Sequence, residues 1–256
     1  FHVLSGNVFL VGAGSLAIGA ITGNTNILKM SSGETAFLPR LLETLAEIDR
    51  DGVLSRSNEL VEFSSASTEV KSAFQQSVDG ILVWGGEEAV RAYRDGSPSR
   101  VRVVLYGPKL SVGIVTAAGF ARVGAEEIGK RLANELAIWD QNACTAPQIC
   151  YVESVAAAEQ VAAATAGALE VVNRTLPPGA AGPDTATEIQ KWRGVYEVAE
   201  ARGEAKLYQS KRGVDWTVIF DRNPEVKDSP LHRTLRIVPY AEWSEIRDAC
   251  LLPMRT

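Results

Sequence analysis

The residues with the clearest chemical potential lie in the segment from Trp139 to Gln148, which contains Cys144. The pattern places this cysteine after a helix and before an apolar strand, Ile149 to Val152, with small neighbours and then Pro147. A thiol at such a junction is open to substrate, and its backbone N–H can face a developing oxyanion, as acyl transfer through a thiolate requires. A lone cysteine is more often a small buried apolar residue, so this interpretation needs support from other segments.

Composition excludes several classes of protein. The 256 residues are 46% hydrophobic and 22% charged, which is ordinary for a globular chain. The net charge of −5 gives no electrostatic reason to expect nucleic acid or an anionic membrane as partner. No signal peptide and no run of roughly 18 apolar residues is found. Cys144, Cys150 and Cys250 show no metal-ligand spacing, so we expect no metal site and a cytoplasmic location.

Apolar runs alternate with helical patterns along the chain. The order up to Trp84 is strand, helix, strand, helix, strand, helix, strand, which is typical of a parallel sheet with crossover helices. Strands are predicted at 1–4, 25–30, 60–63, 79–84, 102–106, 112–116, 215–220 and 234–238, and helices at 8–21, 34–50, 68–76, 87–94, 123–138, 155–172, 184–202 and 242–252. The chain opens inside a strand, so we expect a fragment of a longer polypeptide.

A glycine motif in the first predicted helix permits a second interpretation. Gly12 to Ala17 matches G-x-G-x-x-[GA], and Glu34 follows at about the distance of a ribose-binding acid. Asn7, however, stands where a helix cap is expected, and Ser31-Ser32 occupy the place of the fingerprint acid. We therefore favour a close-packed helix whose glycines admit a neighbouring element.

Five segments, in order, resemble the aldehyde dehydrogenase superfamily, and most closely its acyl-thioester reductase branch, which includes the fatty-acid reductases of bacterial bioluminescence. They are Ser5–Val8, Asn26–Ser32, Val83–Ala89, Tyr106–Ser111 and Trp139–Cys144. The resemblance implies an aldehyde dehydrogenase-like α/β fold. Residues 1–83 would belong to a parallel Rossmann-type NAD(P)-binding domain, and residues 84–256 would form a catalytic domain whose C-terminal end is missing.

The resemblance also implies roles for particular side chains. Cys144 matches the nucleophile that carries the acyl group as a thioester. Asn7 matches the amide that completes an oxyanion hole with the Cys144 N–H, a type of donor worth about 3–4 kcal/mol in the transition state. Cofactor contacts fall on Lys29 for the adenosine ribose, Ser31 and Ser32 for its 2′ position, Ser67 and Thr68 for the pyrophosphate, and the pair Gly85 and Gly86. Small hydroxyls at the 2′ position favour NADPH, with NADH possible as well.

Departures from the family pattern also bear on the chemistry. Hydrolytic members carry a glutamate directly before the Gly-Gly pair, and here that place holds Trp84. Without this general base for water, the acyl-enzyme should be reduced to an aldehyde. His2 is a candidate proton donor. His232 lies where the family has the turn that supplies a nicotinamide-ribose carboxylate, so that carboxylate is absent.

The sequence thus predicts NADPH-dependent reduction of a fatty acyl thioester, on CoA or a protein, to an aldehyde. The full-length form would be a homo-oligomer, and an acyltransferase or synthetase partner could deliver the substrate. NAD(P)-dependent aldehyde oxidation is one alternative, opposed by Trp84. A non-catalytic aldehyde dehydrogenase-like module is the other, opposed by the retention of Asn7, Lys29 and Cys144.

Overall fold

The chain folds into two compact α/β units. The computed structural model describes residues 1–33 and 36–251, so Glu34 and the predicted helix end at Leu252 lie outside the described residues. The first unit is Phe1–Lys109, and the second begins at Leu110. Each unit contains one five-stranded sheet, which confirms the predicted α/β class.

The first unit is a parallel sheet with helices between its strands. The strands are β1 (His2–Val3), β2 (Asn26–Lys29), β3 (Asn58–Val61), β4 (Gly80–Trp84) and β5 (Arg102–Tyr106). The helices are α1 (Leu10–Ile21), α2 (Phe37–Ile48), α3 (Val53–Ser57), α4 (Thr68–Ser77) and α5 (Glu87–Gly96). The strand order is β3-β2-β1-β4-β5, with every neighbouring pair parallel. In such a doubly wound sheet the order reverses between β1 and β4, and ligands bind beyond the carboxyl ends of the strands there.

Both faces of this sheet are covered, because side chains alternate along each strand. Ile81 and Val83 of β4 pack with Val90 and Tyr93 of α5. On the other face, α1 and α2 enclose an apolar cluster of Leu4, Leu16, Leu28 and Leu38, against which Trp84 also packs. The loops that follow β1 and β4 therefore start from strands that are packed on both faces.

The glycines of α1 permit close packing, as predicted. A Cβ on Gly12 would lie 2.6 Å from Leu38 Cδ1, and one on Gly19 would lie 2.1 Å from Asn26 Oδ1. The helix is not wholly buried, however, because Ile18 and Ile21 are exposed. The fingerprint interpretation also fails on geometry, since Gly12 lies inside the helix and not in a strand-to-helix turn.

The second unit has strand order β6-β7-β10-β9-β8, parallel except for the antiparallel β8–β9 pair. Its strands are β6 (Val112–Val115), β7 (Ile149–Glu153), β8 (Ala205–Gln209), β9 (Thr217–Asp221) and β10 (Thr234–Tyr240). Its helices are α6 (Ala117–Val123), α7 (Ala125–Ala137), α8 (Val155–Thr175), α9 (Pro183–Ala201) and α10 (Trp243–Leu251). The central strands β7, β9 and β10 are buried almost throughout, as in sheets covered on both faces.

Helices α7 and α8 pack directly against each other. The buried side of α8, with Ala158, Val161 and Leu169, faces the core of this unit. By length and mean hydropathy α8 is the one helix of the described chain that could cross a membrane. Its buried side and its interruption by Glu159 and Glu170 are those of a core helix.

Three elements differ from the sequence-based expectation. The helix expected over 123–138 corresponds to α7, whereas α6, which ends before Gly124 with its φ of +81°, was not predicted. The strand β8 was not predicted, and its antiparallel pairing with β9 makes the second sheet mixed. The short α3 was also missed. Finally, the expected domain boundary at residue 83 lies within the first unit, because β5 pairs with β4 along its whole length.

The close approach of α7 and α8 predicts opposite effects for two Gly→Ala substitutions. A Cβ on Gly129 would lie 2.6 Å from Ala164 C and 2.7 Å from Thr165 N, which are backbone atoms that cannot rotate away. Gly129→Ala should therefore lower the free energy of unfolding by about 1–3 kcal/mol. Gly167→Ala, in open space on α8, should raise it by about 0.5–1 kcal/mol through helix propensity. Urea titration of both variants measures this, and a stabilising Gly129→Ala would contradict the packing.

Candidate active site

One group of candidate residues lies at the carboxyl edge of the first sheet. Asn7 is exposed in the loop after β1, and Lys29 is the last residue of β2. Gly85 and Gly86 follow β4 directly. The loops after β1 and β2 touch, because a Cβ on Gly6 would lie 2.5 Å from Ser31 Oγ. The parallel topology thus collects the predicted cofactor residues at one edge.

Lys29 is a buried cation with weak partners. Its side chain is 6% exposed, its Nζ donates to Met30 O at 3.5 Å, and Nζ lies 5.0 Å from the centroid of the Phe63 ring. Burial lowers the pKa of Lys29, and the charge of Glu62 opposes this. Within residues 1–33 and 36–251, no carboxylate forms a salt bridge with this ammonium. A buried, poorly paired donor is suited to the oxygens of a polar ligand.

The two serines after β2 differ in their surroundings. Ser31 Oγ is buried and has no hydrogen-bond partner in the described part of the chain, whereas Ser32 is exposed. An unpaired buried hydroxyl costs free energy that a ligand acceptor would recover. Ser32 is therefore the hydroxyl that a 2′-phosphate would reach from solvent, and Ser31 Oγ would have to turn from Gly6 to join it.

Two helices start at this same edge of the sheet. Ser67 occupies the N-cap position of α4 and Thr68 is its first residue, while Gly86 occupies the N-cap position of α5. The Ser67 side chain makes no cap hydrogen bond, and Gly86 has no side chain that could make one. Helix starts suit phosphate oxygens, but at the start of α4 the Ser67 N–H already donates to Ser64 O and the Thr68 N–H to Ala66 O, both at 2.9 Å, and Glu69 in the first turn weakens the attraction for an anion.

A chain of neutral hydrogen bonds runs beneath this edge. Asn26 Nδ2 donates to Asn58 Oδ1 at 2.7 Å, and Asn26 Oδ1 lies 3.0 Å from His2 Nε2. His2 Nε2 therefore carries the proton, so His2 Nδ1 accepts from Ser15 Oγ at 2.7 Å. Ser15 Oγ in turn accepts from Trp84 Nε1 at 3.2 Å. Both nitrogens of His2 are engaged in this buried network, so the predicted role of His2 as proton donor is wrong on structural grounds.

The strand ends of β4 and β5 carry stacked aromatic rings. The centroids of Trp84 and Tyr106 are 3.8 Å apart and their planes differ by 6°. The indole N–H of Trp84 is committed to Ser15. Neither strand end therefore supplies a carboxylate that could act as a general base.

The other group of candidate residues, in the second unit, lies in the loop between α7 and β7. Cys144 is exposed on this loop, as predicted, whereas Cys150 and Cys250 are buried. Burial raises the pKa of the Cys150 thiol to about 12, so that thiol stays protonated. Cys144 is thus the one cysteine of the chain whose sulfur is open to solvent.

Hydrogen bonds hold the main chain on either side of Cys144. Ser111 Oγ donates to the Cys144 carbonyl oxygen, and the Gln148 N–H donates to the Ser111 carbonyl oxygen at 2.9 Å. The Ala146 N–H donates to Ala143 O at 3.0 Å. Across the described residues, the Cys144 N–H donates to no protein acceptor, so it is available to an oxyanion.

Several residues that anchor this loop carry no signal in the sequence. Gln141 bonds to Thr234, the first residue of β10, and Asp140 bonds to Arg233, the residue before it. His232 precedes Arg233 and is buried, and burial lowers its pKa while the charge of Asp140 opposes the shift. These partners are separated from the loop by about ninety residues of sequence, so only the fold could reveal them.

Solved structures with a similar fold identify the fold class of this chain. Indole-3-acetaldehyde dehydrogenase AldA of P. syringae superposes with a TM-score of 0.72 at 16% identity, over 95% of this chain and 52% of that one. Lactaldehyde dehydrogenase of Escherichia coli superposes with a TM-score of 0.65 at 15% identity, over 97% of this chain and 54% of that one. The chain therefore has an aldehyde dehydrogenase-like fold, as the resemblance predicted.

The sequence identifies the family within that fold. The family model described as acyl-CoA reductase (LuxC) matches residues 1–254, and the chain belongs to this family. The long-chain acyl-protein thioester reductase of Vibrio harveyi is 30% identical over 151 residues. The enzyme of the same name from Aliivibrio fischeri is 26% identical over 151 residues. Each match covers 59% of this chain and 31% of the relative, so the chain aligns with about a third of the length of these relatives.

The buried histidines predict a loss of stability in acid. His2 and His232 have lowered pKa values, chiefly through burial, so the folded chain binds fewer protons than the unfolded chain below about pH 6.5. The free energy of unfolding should therefore fall as the pH drops through this range, by at most about 1.4 kcal/mol per pH unit for each histidine. Urea titrations at about pH 7.5 and about pH 5.5 measure this. His2→Gln should show a shallower pH dependence, and an unchanged slope would contradict the neutral network.

Proposed function

We propose that this chain carries the thioester-forming and cofactor-binding residues of an acyl thioester reductase, which converts a long-chain acyl thioester to an aldehyde through acyl-Cys144. The observation that carries the proposal is the exposed thiol of Cys144 on a loop fixed at both ends. Membership of the acyl-CoA reductase family and relatives named long-chain acyl-protein thioester reductases support the substrate class.

In the first step, the Cys144 thiolate attacks the carbonyl carbon of the acyl donor. The new C–S bond forms as the bond to the donor sulfur breaks, and the donor thiol leaves with a proton. The Cys144 N–H, which has no protein acceptor in the described chain, would stabilise the oxyanion of the tetrahedral intermediate. The exposed amide of Asn7 is proposed as the second donor.

The absence of a carboxylate at two strand ends favours reduction over hydrolysis. Trp84 and Tyr106 close β4 and β5, and neither side chain can serve as a general base for water as a carboxylate would. A nicotinamide cofactor, when bound, would supply the hydride that turns the acyl group into an aldehyde and frees the cysteine. Aldehyde oxidation to free acid would require the base that these positions lack.

The carboxyl edge of the first sheet fits such a cofactor. Among the described residues, Lys29 is a buried donor without an ion pair and the Ser31 hydroxyl has no hydrogen-bond partner, and α4 and α5 start at the same edge. Lys29 would hold the ribose hydroxyls, and Ser32 would meet a 2′-phosphate. NADPH is thus the proposed cofactor. The acyl carrier, a delivering acyltransferase or synthetase, homo-oligomerisation and a cytoplasmic location stay predictions.

Covalent trapping tests the nucleophile. The chain is incubated with radiolabelled long-chain acyl-CoA, and we expect a hydroxylamine-sensitive label on Cys144 that Cys144→Ala abolishes. Cys250→Ala, which changes a buried thiol, is the matched control and should keep the label. Asn7→Ala should slow acylation by about 10²–10³-fold, the usual effect of losing one oxyanion donor.

Three results would contradict the proposal, one from this labelling experiment and two from separate assays of aldehyde oxidation and NADPH binding. Label retained by Cys144→Ala would show that Cys144 is not the nucleophile. Oxidation of an aldehyde to free acid without CoA would favour the oxidative alternative. An unlabelled wild-type chain that gives no calorimetric heat with NADPH would favour the non-catalytic module.

Cofactor choice is tested by placing a charge beside the expected 2′-phosphate. Ser32→Asp should weaken NADPH binding by about tenfold or more through like-charge repulsion and should affect NADH much less. Ser99→Asp is the matched control, because Ser99 is exposed but precedes β5 at the opposite, amino edge of the sheet. Calorimetric titration of both variants with each cofactor gives the ratio. Equal weakening of NADPH and NADH by Ser32→Asp would count against the 2′-phosphate contact.

A further inference from the structure

The side chain of Gln141 closes the loop that presents Cys144. Its Nε2 donates to Pro147 O and to Thr234 O, both at 2.8 Å, and its Oε1 accepts from the Thr234 N–H at 2.7 Å. The residue is 1% exposed. Both amide protons and the amide oxygen are therefore used. The bond to Pro147 joins the two ends of a short loop with Cys144 inside it.

The pairing with Thr234 ties this loop to the second sheet. Thr234 is the first residue of β10, and the Gln141 amide meets both its N–H and its C=O, as a neighbouring strand would. Gln141 and Asp140 hold φ values of +62° and +48°, which are unfavourable for residues other than glycine. The side-chain bonds offset this cost, so the loop conformation depends on them.

A buried ion pair reinforces the same junction. Arg233 is 1% exposed, and its Nε donates to Asp140 Oδ1 at 2.7 Å. Its NH2 group donates to Ala137 O, at the end of α7, at 3.2 Å. Its NH1 group donates to Asn173 Oδ1 at 2.7 Å and to Leu176 O at 3.0 Å, at the end of α8. One guanidinium thus joins the ends of two helices to the start of the Cys144 loop.

The segment that presents Arg233 and Thr234 is itself unusual. Leu231, His232 and Arg233 have φ values of +59°, +52° and +59°, so three successive residues other than glycine are left-handed. Such a run persists only where its surroundings over-determine it. Here the run directs the guanidinium and the first peptide of β10 at one loop, which carries the exposed cysteine.

We propose that Gln141 and Arg233 are positioning residues for the thioester-forming step, which act by holding the Cys144 loop in its reactive geometry. This inference rests on the proposed role of Cys144 as nucleophile. Other bonds of the loop come from Ser111, which contacts Cys144 O and the Gln148 N–H, and from short-range backbone pairs such as Ala146 with Ala143 and Asn142 with Trp139, and these bonds do not reach β10. Loss of the Gln141 amide contacts should therefore move the Cys144 sulfur and N–H relative to the substrate carbonyl. A displacement of about 1 Å can cost 10²-fold in rate.

Gln141→Glu is the sharpest variant, because it keeps the shape of the side chain. One carboxylate oxygen would still accept from the Thr234 N–H, but the other would face the carbonyl oxygens of Thr234 and Pro147. Gln190→Glu makes the same chemical change at an exposed site on α9 and is the matched control. Arg233→Lys keeps the charge but cannot reproduce the fork of hydrogen bonds.

The experiment compares acylation of Cys144 by long-chain acyl-CoA with its alkylation by iodoacetamide in the intact chain. For Gln141→Glu and Arg233→Lys we expect the maximal acylation rate to fall about 10–100-fold, with little change in the half-saturating acyl-CoA concentration. Alkylation needs no oxyanion geometry, so it should change only severalfold. Gln190→Glu should match the wild type in both reactions. Circular dichroism and a thermal melt establish that each variant is folded.

The outcomes separate this inference from the proposed function. A wild-type chain that is not acylated at Cys144 overturns both. Acylation of the wild type together with a folded Gln141→Glu that reacts within twofold of it overturns the positioning role alone. Parallel loss of acylation and alkylation, or unfolding of both variants, would show that the junction serves stability only and would also overturn it.

Discussion

An exposed thiol has no packing of its own to fix it, so its position must come from buried polar groups at the base of its loop. In this chain those groups are Gln141 and Arg233, each almost completely buried. Their hydrogen bonds are formed where water cannot compete, and an unsatisfied group there would cost about 1–3 kcal/mol or more. The same burial that makes the junction rigid leaves the cysteine itself open. The exposed Cys144 and the buried Gln141 thus lie in one short loop, which Arg233 holds from a distant part of the sequence.

The two units solve the problem of buried polarity differently. In the first, His2 is neutral and lies in a relay of uncharged groups that runs from Trp84 to Asn58. In the second, Arg236 is buried as a cation against Asp221, with Nε and NH2 at 3.1 and 2.8 Å from one oxygen. A neutral relay avoids the desolvation cost of an ion, whereas a paired guanidinium needs most of its donors satisfied. Arg236 meets this need with the carbonyl oxygens of Asn223 and Glu225.

Local patterns in the sequence were enough for most elements and for the exposed cysteine. The five parallel strands of the first unit follow from apolar runs, and the tight packing of α1 follows from Gly12. The helix α6 was missed because it has only seven residues, which is too short for a helical period to stand out, and it ends before Gly124, which has a positive φ. The strand β8 was missed because Lys206 and Gln209 weaken the alternation of apolar and polar residues that predicts a strand. Its extended conformation is set by antiparallel pairing with β9. Local propensity gives way to tertiary pairing in such cases.

The candidate site shows the same limit more sharply. Asn7, Lys29 and Cys144 stand in short segments whose order alone carries the family resemblance. The partner of Gln141, in contrast, is Thr234, which lies 93 residues away and directly follows a left-handed run that no composition predicts. From the sequence alone, a glutamine in a loop is expected to be exposed to water. Only the fold shows that the nitrogen and the oxygen of the Gln141 amide both pair with Thr234. The chemistry of a nucleophile is thus visible in its own residue type, whereas the constraint that makes it effective is held by residues that only three-dimensional pairing selects.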